Sequence, residues 1–495
     1  TAQLDFLNPN TREAVIQQIL HVARNFHIIR FDAAMTLAKR HVQRLWYPRP
    51  GSGGDIPGRA EAGMSDAEFN ELMPQEFWRE VVDRVAQEVP DTLLLAEAFW
   101  MMEGYFVRTL GMHRVYNSAF MNMLKNQENG KYRDTIKNTI AFDPEILKRF
   151  VNFMNNPDEE TAIAQFGNGD KYFGVCTLLV TMPGLPMFGH GQIEGFREKY
   201  GMEYRRAYWN EYPDDHLIGE HYRRIFPLVK MRYAFSTVEH FELFDVIDNG
   251  SVADSVYAYV NGTEERRALV LFNNQYEHAQ GRIYSSAPKM IRQGDGCRVT
   301  RVTSLGESLG LTVGGRQYTI YESFPEGLTY IIPSMSIFDE GLWVSLQGYE
   351  THVYLNIREV EDHDGTYEAL HRYLNGRGTS TFERDLATIR LQPLFQAMEN
   401  FRSPAMVETL RTMTSGKQVK SKELRRFILL TGEAYARLSA LYETLGQTTI
   451  DLIPPLRGEM QPKQLLLEIQ RLMDCLSEEG PTPIHAAGGT IMEEL

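Results

Sequence analysis

Three carboxylates in the sequence each follow a short apolar run. They are Asp32, Glu97 and Asp158. Short apolar runs bounded by polar residues are typical of buried β-strands, so each acid is predicted to lie at or just beyond the carboxyl end of a strand. The carboxyl ends of parallel strands open on one face of an α/β barrel. The three acids are therefore predicted to converge in one active site, with the rest of the chain as their scaffold.

Helical and strand-like patterns alternate through the first 230 residues. Residues 11–26 carry apolar side chains at helical spacing, with Asn10 or Thr11 as the expected cap, and residues 77–89 repeat that spacing. The predicted strands are residues 28–32, 92–97, 113–117, 147–154 and 183–189. These are five strand–helix units where a closed barrel needs eight. Either three units precede Thr1 in the native protein, or the sheet is open.

Composition narrows the class of protein. The chain has 495 residues, which is too long for one hydrophobic core. Its formal net charge is −14, which argues against a nucleic-acid partner because such binding needs dense positive charge. Apolar runs stay below the roughly 18 residues of a membrane span, so no membrane partner is expected. Cys176, Cys297 and Cys475 lie far apart, with neither metal-site nor disulfide spacing.

The sequence pattern changes after about residue 232. Residues 256–260 and 268–272 flank Asn261-Gly262, which predicts a β-hairpin. Further strands are predicted at residues 318–321, 328–332, 342–346 and 352–357. The pattern returns to helical spacing near the end of the chain. We therefore predict three domains: an α/β domain at 1–232, an all-β domain at 233–361 and an α-helical extension at 362–495.

Four motifs in order resemble the signatures of the α-amylase family of glycoside hydrolases. They are Arg-Phe-Asp-Ala-Ala at 30–34, Leu-Ala-Glu-Ala-Phe-Trp at 95–100, Asn-Phe-Met-Asn-Asn-Pro-Asp-Glu at 152–159, and Thr-Met-Pro-Gly-Leu-Pro at 181–186 with the glycine-rich segment at 189–195. Their spacing is similar to that of the fourth, fifth, seventh and eighth barrel strands of that family. The resemblance covers residues 1–345 and implies an α/β fold: a partial (β/α)8 TIM barrel of strands 4–8, followed by an all-β domain.

The resemblance also implies a retaining reaction on α-glucosidic bonds. Asp32 would be the nucleophile that forms a covalent glycosyl-enzyme, and Glu97 would be the general acid and base. Such a pair is expected to lie about 5–5.5 Å apart. Asp158 would stabilise the distorted sugar at the transition state. Arg30 precedes Asp32 by two residues, so it lies on the same strand face and is expected to keep Asp32 ionised.

Aromatic and amide side chains next to these acids complete the predicted substrate site. Phe99 and Trp100 follow Glu97 and would stack on sugar faces or supply an apolar wall. Asn155 and Asn156 would supply the hydrogen bond that the family takes from a histidine before its third acid.

Three departures separate this sequence from the family. Pro157 stands where that histidine is usual. Met35 and Thr36 occupy positions where the family often has a lysine and a histidine for acceptor-side binding and calcium. We therefore carry no calcium site over and expect no cofactor. The signatures of the first three barrel strands are absent, so we expect a partial catalytic domain.

Two functions of different classes remain open. The first is an α-amylase-family glycosidase, either a hydrolase or a transglycosylase, which acts on an α-glucan or an α-glucosyl oligosaccharide. The second is a non-catalytic α-glucan-binding or assembly protein with a degenerate amylase barrel. The plain interpretation of each acid is a helix cap or a surface ion-pair partner, above all for Asp158, which comes just before a helical pattern. We expect a cytoplasmic protein, and the sequence does not indicate its oligomeric state.

Overall fold

The computed structural model describes residues 3–53, 58–99, 102–199, 205–294, 296–401, 403–414, 422–423, 425–427 and 429–430. The chain divides into two compact units, Thr1–Leu386 and Ala387–Leu495. Trp100, Cys475 and most of the predicted helical extension lie outside the described residues. The predicted domain boundaries at 232 and 361 stay predictions.

Eighteen α-helices are assigned in the described part of the chain. They are α1 (Pro9–Ala23), α2 (Lys39–Trp46), α3 (Asp66–Leu72), α4 (Phe77–Glu88), α5 (Glu103–Arg108), α6 (Ser118–Lys125), α7 (Asn129–Phe142), α8 (Glu145–Lys148), α9 (Ala162–Phe166), α10 (Asp170–Thr181), α11 (Asp215–Glu220), α12 (Phe226–Lys230), α13 (Arg232–Phe235), α14 (Leu305–Leu309), α15 (Ser334–Asp339), α16 (Thr366–Leu374), α17 (Phe382–Phe401) and α18 (Pro404–Thr414). Short 3-10 helices occupy Ala34–Leu37 and Ala60–Ala62, and a π-helix occupies His221–Ile225.

Sixteen strands are assigned in the same residues. They are β1 (Ile28–Phe31), β2 (Leu93–Ala96), β3 (Arg114–Tyr116), β4 (Phe150–Phe153), β5 (Leu185–Met187), β6 (Glu242–Asp248), β7 (Ser251–Val252), β8 (Val256–Gly262), β9 (Arg267–Asn273), β10 (Ala279–Ser286), β11 (Lys289–Arg292), β12 (Arg298–Arg301), β13 (Gln317–Phe324), β14 (Thr329–Pro333), β15 (Leu342–Leu346) and β16 (Thr351–Glu361).

The first five strands form one parallel sheet in the order of the sequence, β1-β2-β3-β4-β5. The register pairs Phe31 with Ala96 and Tyr116 with Val151, so the strands end at one common edge. All five predicted strands are therefore confirmed. Helices follow the strands because parallel neighbours need a crossover connection.

Most of the later strands form a nine-stranded antiparallel sheet in the order β14-β13-β16-β9-β8-β6-β10-β15, with β7 paired to β6. β11 and β12 pair separately. The predicted β-strands between residues 256 and 357 are confirmed. The structure is thus mixed α/β with an antiparallel β-sheet region, as the motifs predict.

Two apolar cores pack against the parallel sheet. One joins α1 and α4 to β1 and β2, with the ring centres of Phe31 and Trp78 4.8 Å apart. The other joins α6, α7 and α10 to β4 and continues into the antiparallel sheet through Tyr257 and Phe272. Burying this apolar surface is the main favourable term in folding, and it ties the antiparallel sheet to the helices behind β3–β5.

Several local predictions are corrected. Asn8 caps α1 by accepting from the N–H of Asn10, with Pro9 in the first turn, where its missing N–H costs nothing. The predicted strand at 147–154 is shortened to Phe150–Phe153, because α8 occupies the preceding residues. Ser65 and Glu68 form a capping box that starts α3.

The hairpin between β8 and β9 turns two residues later than predicted. Asn261 and Gly262 belong to β8, and the connection is residues 263–266. The buried Asn261 amide donates to the carbonyls of Thr181, at 2.8 Å, and Phe235, at 3.0 Å. This tertiary pairing satisfies a side chain that would otherwise favour the turn itself.

Within the described residues, no helix is long and apolar enough to cross a membrane.

Gly174 lies where α10 packs against the antiparallel sheet, so a substitution there tests this packing contact. A Cβ added there would lie 2.0 Å from the Phe272 ring, so we expect Gly174→Ala to destabilise the fold by about 1–3 kcal/mol through overpacking. The matched control is Gly219→Ala in α11, where an added Cβ meets nothing within 4 Å. The control should keep or slightly raise stability, because alanine favours helices. Melting temperatures by circular dichroism measure both. Equal melting temperatures for both variants would contradict the close packing.

Candidate active site

Arg30 lies between the first two predicted acids. Its Nη1 is 2.7 Å from Asp32 Oδ1, and its Nη2 is 3.1 Å from Glu97 Oε1. The third partner of the guanidinium is Tyr116, whose hydroxyl accepts from Nε at 2.9 Å. The ends of β1, β2 and β3 thus contribute to one cluster. We call Arg30, Asp32, Glu97 and Tyr116 the Arg30 cluster.

Strand alternation explains why Arg30 and Asp32 share a face. Ile29 and Phe31 are buried against the helices, so the residues between and after them point to the opposite side of the sheet. The predicted contact between Arg30 and Asp32 is thereby confirmed. Ile28 lies on the same face as Arg30 and is 65% exposed.

The two carboxylates have different environments. The Glu97 side chain is 5% exposed, whereas that of Asp32 is 56% exposed. Burial raises the pKa of Glu97 most, and the charge and hydrogen bond of Asp32 raise it further. The N–H of Ala33, which donates to Glu97 Oε2 at 2.8 Å, and the positive charge of Arg30 lower the pKa only in part. The pKa of Glu97 is therefore raised above its ordinary value by its own environment.

The remaining members of the Arg30 cluster also have shifted pKa values. Burial disfavours the charged form of Arg30, but its contacts with Tyr116, Glu97 and Asp32 outweigh burial and raise the pKa of Arg30. Burial raises the pKa of Tyr116, so its hydroxyl stays neutral. The guanidinium also lies 5.4 Å from the centre of the Tyr116 ring, a cation–π distance.

Asp158 is not in this cluster. Its side chain is exposed in the segment after β4. Asn156 Oδ1 accepts from the N–H groups of Asp158 and Glu159, both at 3.0 Å, and fixes this segment as a turn. Lys199 donates to the Asp158 carbonyl at 2.8 Å.

The two predicted amides are buried at the end of β4. Asn155 Nδ2 lies 3.5 Å from the His190 carbonyl, and its side chain packs against Gly189, where an added Cβ would lie 2.3 Å from Asn155 Oδ1. Asn155 Oδ1 and Asn156 Nδ2 are buried and have no hydrogen-bond partner among the described residues. A buried polar atom left in this state costs free energy unless a further group satisfies it.

Of the two predicted aromatic residues, the structure describes only Phe99. Phe99 is half-buried against the core of α1 and α4. Trp100 lies outside the described residues. The hydroxyl of Tyr105, another aromatic after Glu97, donates to Glu76 at 2.6 Å.

Sequence reasoning missed one residue of the Arg30 cluster. Tyr116 ends β3 as Phe31 ends β1, so its position at a strand end was the available signal. Glu103 begins α5, and burial raises its pKa, while Ser118 just after β3 lies 3.4 Å from its carboxylate. Within the described residues, no group of His, Cys, Asp and Glu side chains is arranged to hold a metal ion.

The fold of the chain is similar to several solved structures. Neither a family model nor a curated protein sequence matches it. It is similar to an α-amylase from Anoxybacillus at 12% identity and a TM-score of 0.44, covering 70% of this chain and 63% of that one. It is also similar to a cyclomaltodextrin glucanotransferase at 16% identity and a TM-score of 0.43, covering 72% of this chain and 62% of that one. A third similar structure is an acarbose-soaked debranching enzyme from Nostoc punctiforme, at 13% identity and a TM-score of 0.43, covering 70% of this chain and 61% of that one.

An α-amylase, the family that the motifs resemble, is among these neighbours. The chain spans about three fifths of the length of these three structures. With TM-scores below 0.5, the likeness by itself carries no argument about activity.

The raised pKa of Glu97 predicts a pH-dependent stability difference. The folded protein holds the Glu97 proton more tightly than the unfolded chain, so this carboxyl costs stability as pH rises from below 4.5 through its raised pKa. Glu97→Gln removes that cost. The free energy of unfolding of the variant, relative to wild type, should therefore increase over this pH range. Urea titrations at several pH values measure it.

Glu68→Gln is the matched control. Hydrogen bonds from Ser65 lower the pKa of Glu68, so its stabilising contribution is lost as pH falls. The relative stability of this variant should decrease as pH rises, which is the opposite slope. Parallel slopes for the two variants would contradict the assignment for Glu97.

Proposed function

We propose that this chain carries part of the catalytic domain of an α-amylase-family enzyme that acts on α-glucosidic bonds by a retaining double displacement. Two lines support this: the four motifs in order, and the meeting of two of their acids in the Arg30 cluster. The observation that carries the proposal is the unequal environment of Asp32 and Glu97. Acid–base assignments follow from pairs of titratable groups whose surroundings push their pKa values apart.

In the proposed reaction Asp32 is the nucleophile and Glu97 is the general acid. An Asp32 carboxylate oxygen forms a bond to the anomeric carbon while the glycosidic C–O bond breaks and the leaving oxygen takes the Glu97 proton. In the second step Glu97 removes a proton from water or from a sugar hydroxyl, which attacks the same carbon and releases Asp32. Hydrolysis and transfer differ only in which of these acceptors reaches the intermediate.

The environments of the two acids suit these roles. Asp32 is exposed and held by Arg30 at 2.7 Å, so its carboxylate is both accessible to a substrate and fixed in position, as a nucleophile needs to be. The buried Glu97 favours the neutral form that a general acid needs. Arg30 offsets the repulsion that would arise if both acids were ionised side by side.

The remaining predicted residues are assigned to the substrate. We propose that Asn155 and Asn156 use their unpartnered buried atoms, Oδ1 and Nδ2, toward sugar hydroxyls. Asp158 would approach the sugar through a movement of the turn that Asn156 holds. Phe99 and Trp100 are proposed as the apolar wall next to Glu97. No cofactor is proposed.

We further propose that β1–β5 are strands 4–8 of a (β/α)8 barrel within residues 1–232. Ile28 on β1 and Leu185 on β5 are exposed apolar side chains at the two outer strands of the sheet. Further strands would cover both. An α-glucan or an α-glucosyl oligosaccharide is the proposed substrate, and the cytoplasm is the proposed location.

A second function is favoured by the position of Asp158. Because its carboxylate is exposed and outside the Arg30 cluster, a non-catalytic α-glucan-binding protein with the same scaffold is the alternative. Turnover separates the two functions, since both would bind α-glucan.

Asp32→Asn tests the nucleophile. The amide cannot form the glycosyl ester, so we expect turnover of maltoheptaose to fall by about 10³-fold or more. The matched control is Asp91→Asn, an exposed acid at the amino end of the same sheet, just before β2, which should keep wild-type turnover. Product chromatography gives the rate, and the anomeric configuration of the first product, by NMR, tests retention.

Three results would count against the catalytic proposal. Turnover by Asp32→Asn at the wild-type rate would remove Asp32 from the mechanism, and an inverted product would remove the double displacement. Binding of maltoheptaose by wild type without any turnover would favour the alternative function.

Arg30→Gln tests the electrostatic role of the guanidinium. Arg30 lowers the pKa of Glu97, so its loss should raise that pKa further. Activity that needs protonated Glu97 falls as pH rises, which gives the pH profile a falling alkaline limb. This limb should move to higher pH in Arg30→Gln. In Arg30→Lys, which keeps the positive charge, the limb should stay nearer its wild-type position. The pH profile of kcat/KM measures the limb. An unchanged or acid-shifted limb in Arg30→Gln would contradict Glu97 as the acid.

A further inference from the structure

The outer face of β6, β10 and β15 carries an exposed aromatic patch. Along these strands side chains alternate between the core and solvent. Val246, Ile283 and Val344 point into the core, whereas Arg282 and Trp343 point out. The register places Arg282 between Ile247 on β6 and Trp343 on β15, so these three side chains form one row across the sheet.

Trp343 and Tyr284 provide the flat surfaces of this patch. They are 51% and 49% exposed, which is high for aromatic side chains on a strand. Together with Gln280 and the turn residues Asp248 and Asn249 they line an open cavity of about 530 Å³. That volume falls in the range of about 300–1,000 Å³ typical of small-molecule sites. We call this region the Trp343 face.

The loop between α15 and β15 holds the Trp343 face in place. Tyr284 donates its hydroxyl proton to the Asp339 carbonyl at 2.7 Å, and Arg282 Nη1 donates to the Glu340 carbonyl at 2.9 Å. Gly341 has a left-handed φ of 69°, and a Cβ added there would lie 2.1 Å from the Ile283 carbonyl oxygen. The loop therefore packs closely against β10. A surface fixed before a ligand arrives loses less conformational entropy on binding.

The lining chemistry selects among ligand classes. Arg282 pairs with Glu340 at 3.5 Å, and Asp248 also lines the cavity, so a polyanion would meet carboxylates beside the one arginine. A purely apolar partner would bury Gln280 and Asn249 without hydrogen-bond partners, which is costly. A neutral ligand with apolar C–H faces and a rim of hydroxyls would satisfy both the rings and the amides. Sugars have this combination.

We propose that the Trp343 face is a second carbohydrate-binding site, which holds an α-glucan chain away from the Arg30 cluster. The choice of α-glucan among sugars rests on the proposed function. A pyranose ring stacks on Trp343, and neighbouring hydroxyls bond to Gln280, Asn249 and Asp248. The site shares no residue with the Arg30 cluster, so it tethers polymer without taking part in the reaction.

Affinity electrophoresis of the Asp32→Asn chain in gels that contain amylopectin tests the proposal. This background prevents turnover during the run if the catalytic proposal holds. We expect Trp343→Ala to reduce retardation, with the apparent Kd rising at least tenfold, and Trp343→Phe to keep most of the retardation because the flat ring remains. Tyr373→Ala is the matched control, since Tyr373 is a 58% exposed aromatic on α16, and it should change nothing.

Further measurements keep the outcome clear. Circular dichroism melting curves check that each variant is folded, and gels with hydroxyethylcellulose check for α-glucan specificity. Wild-type retardation of folded Trp343→Ala would overturn the site, and equal retardation by hydroxyethylcellulose would overturn its α-glucan assignment. Self-association that Trp343→Ala abolishes, without any glucan retardation, would assign the face to a protein contact instead.

The test also separates this site from the catalytic proposal. If wild type fails to turn over maltoheptaose but Trp343-dependent retardation remains, the reaction fails and the Trp343 face stands. If turnover is found and retardation does not depend on Trp343, the second site alone fails.

Discussion

A guanidinium held between two carboxylates is the interaction on which the candidate site depends. Arg30 lies 2.7 Å from Asp32 and 3.1 Å from Glu97, so it offsets the repulsion between the two carboxyl groups whenever both are ionised. Arg30 reaches both acids and Tyr116 only because β1, β2 and β3 are parallel and end at the same level. The register of the sheet is therefore an electrostatic requirement as well as a packing one.

The antiparallel sheet supports this arrangement from a distance. Its inner face shares a continuous core with the helices behind β3–β5, and α10 approaches so closely that Gly174 faces the Phe272 ring. A displacement of that sheet would move α10, against which β5 packs. β10 and β15 contribute no residue to that core, and Trp343 on β15 is 51% exposed.

The sequence predicts the positions of the strands well, but it predicts the side-chain contacts between distant strands less well. Apolar runs locate all five parallel strands, because burial alone determines that pattern. The contact of Arg30 with Asp32 also follows from spacing along one strand. The contact with Tyr116 does not, since it depends on the register between strands 86 residues apart. Asn261 shows the same limit, because its buried partners, Thr181 and Phe235, decide that it stays in β8.

For Asp158, the motif predicts the position of the residue along the chain but not the orientation of its carboxylate. Spacing predicts an acid shortly after β4, and the structure has one, but the orientation of its carboxylate depends on the turn. Asn156 stabilises that turn with two hydrogen bonds, each worth about 1 kcal/mol net. The proposed sugar contact uses Asn156 Nδ2, which takes no part in the turn, so a hydroxyl bonded there leaves Oδ1 on both backbone N–H groups. Asp158 would therefore approach the sugar only if the turn gave up both of these hydrogen bonds.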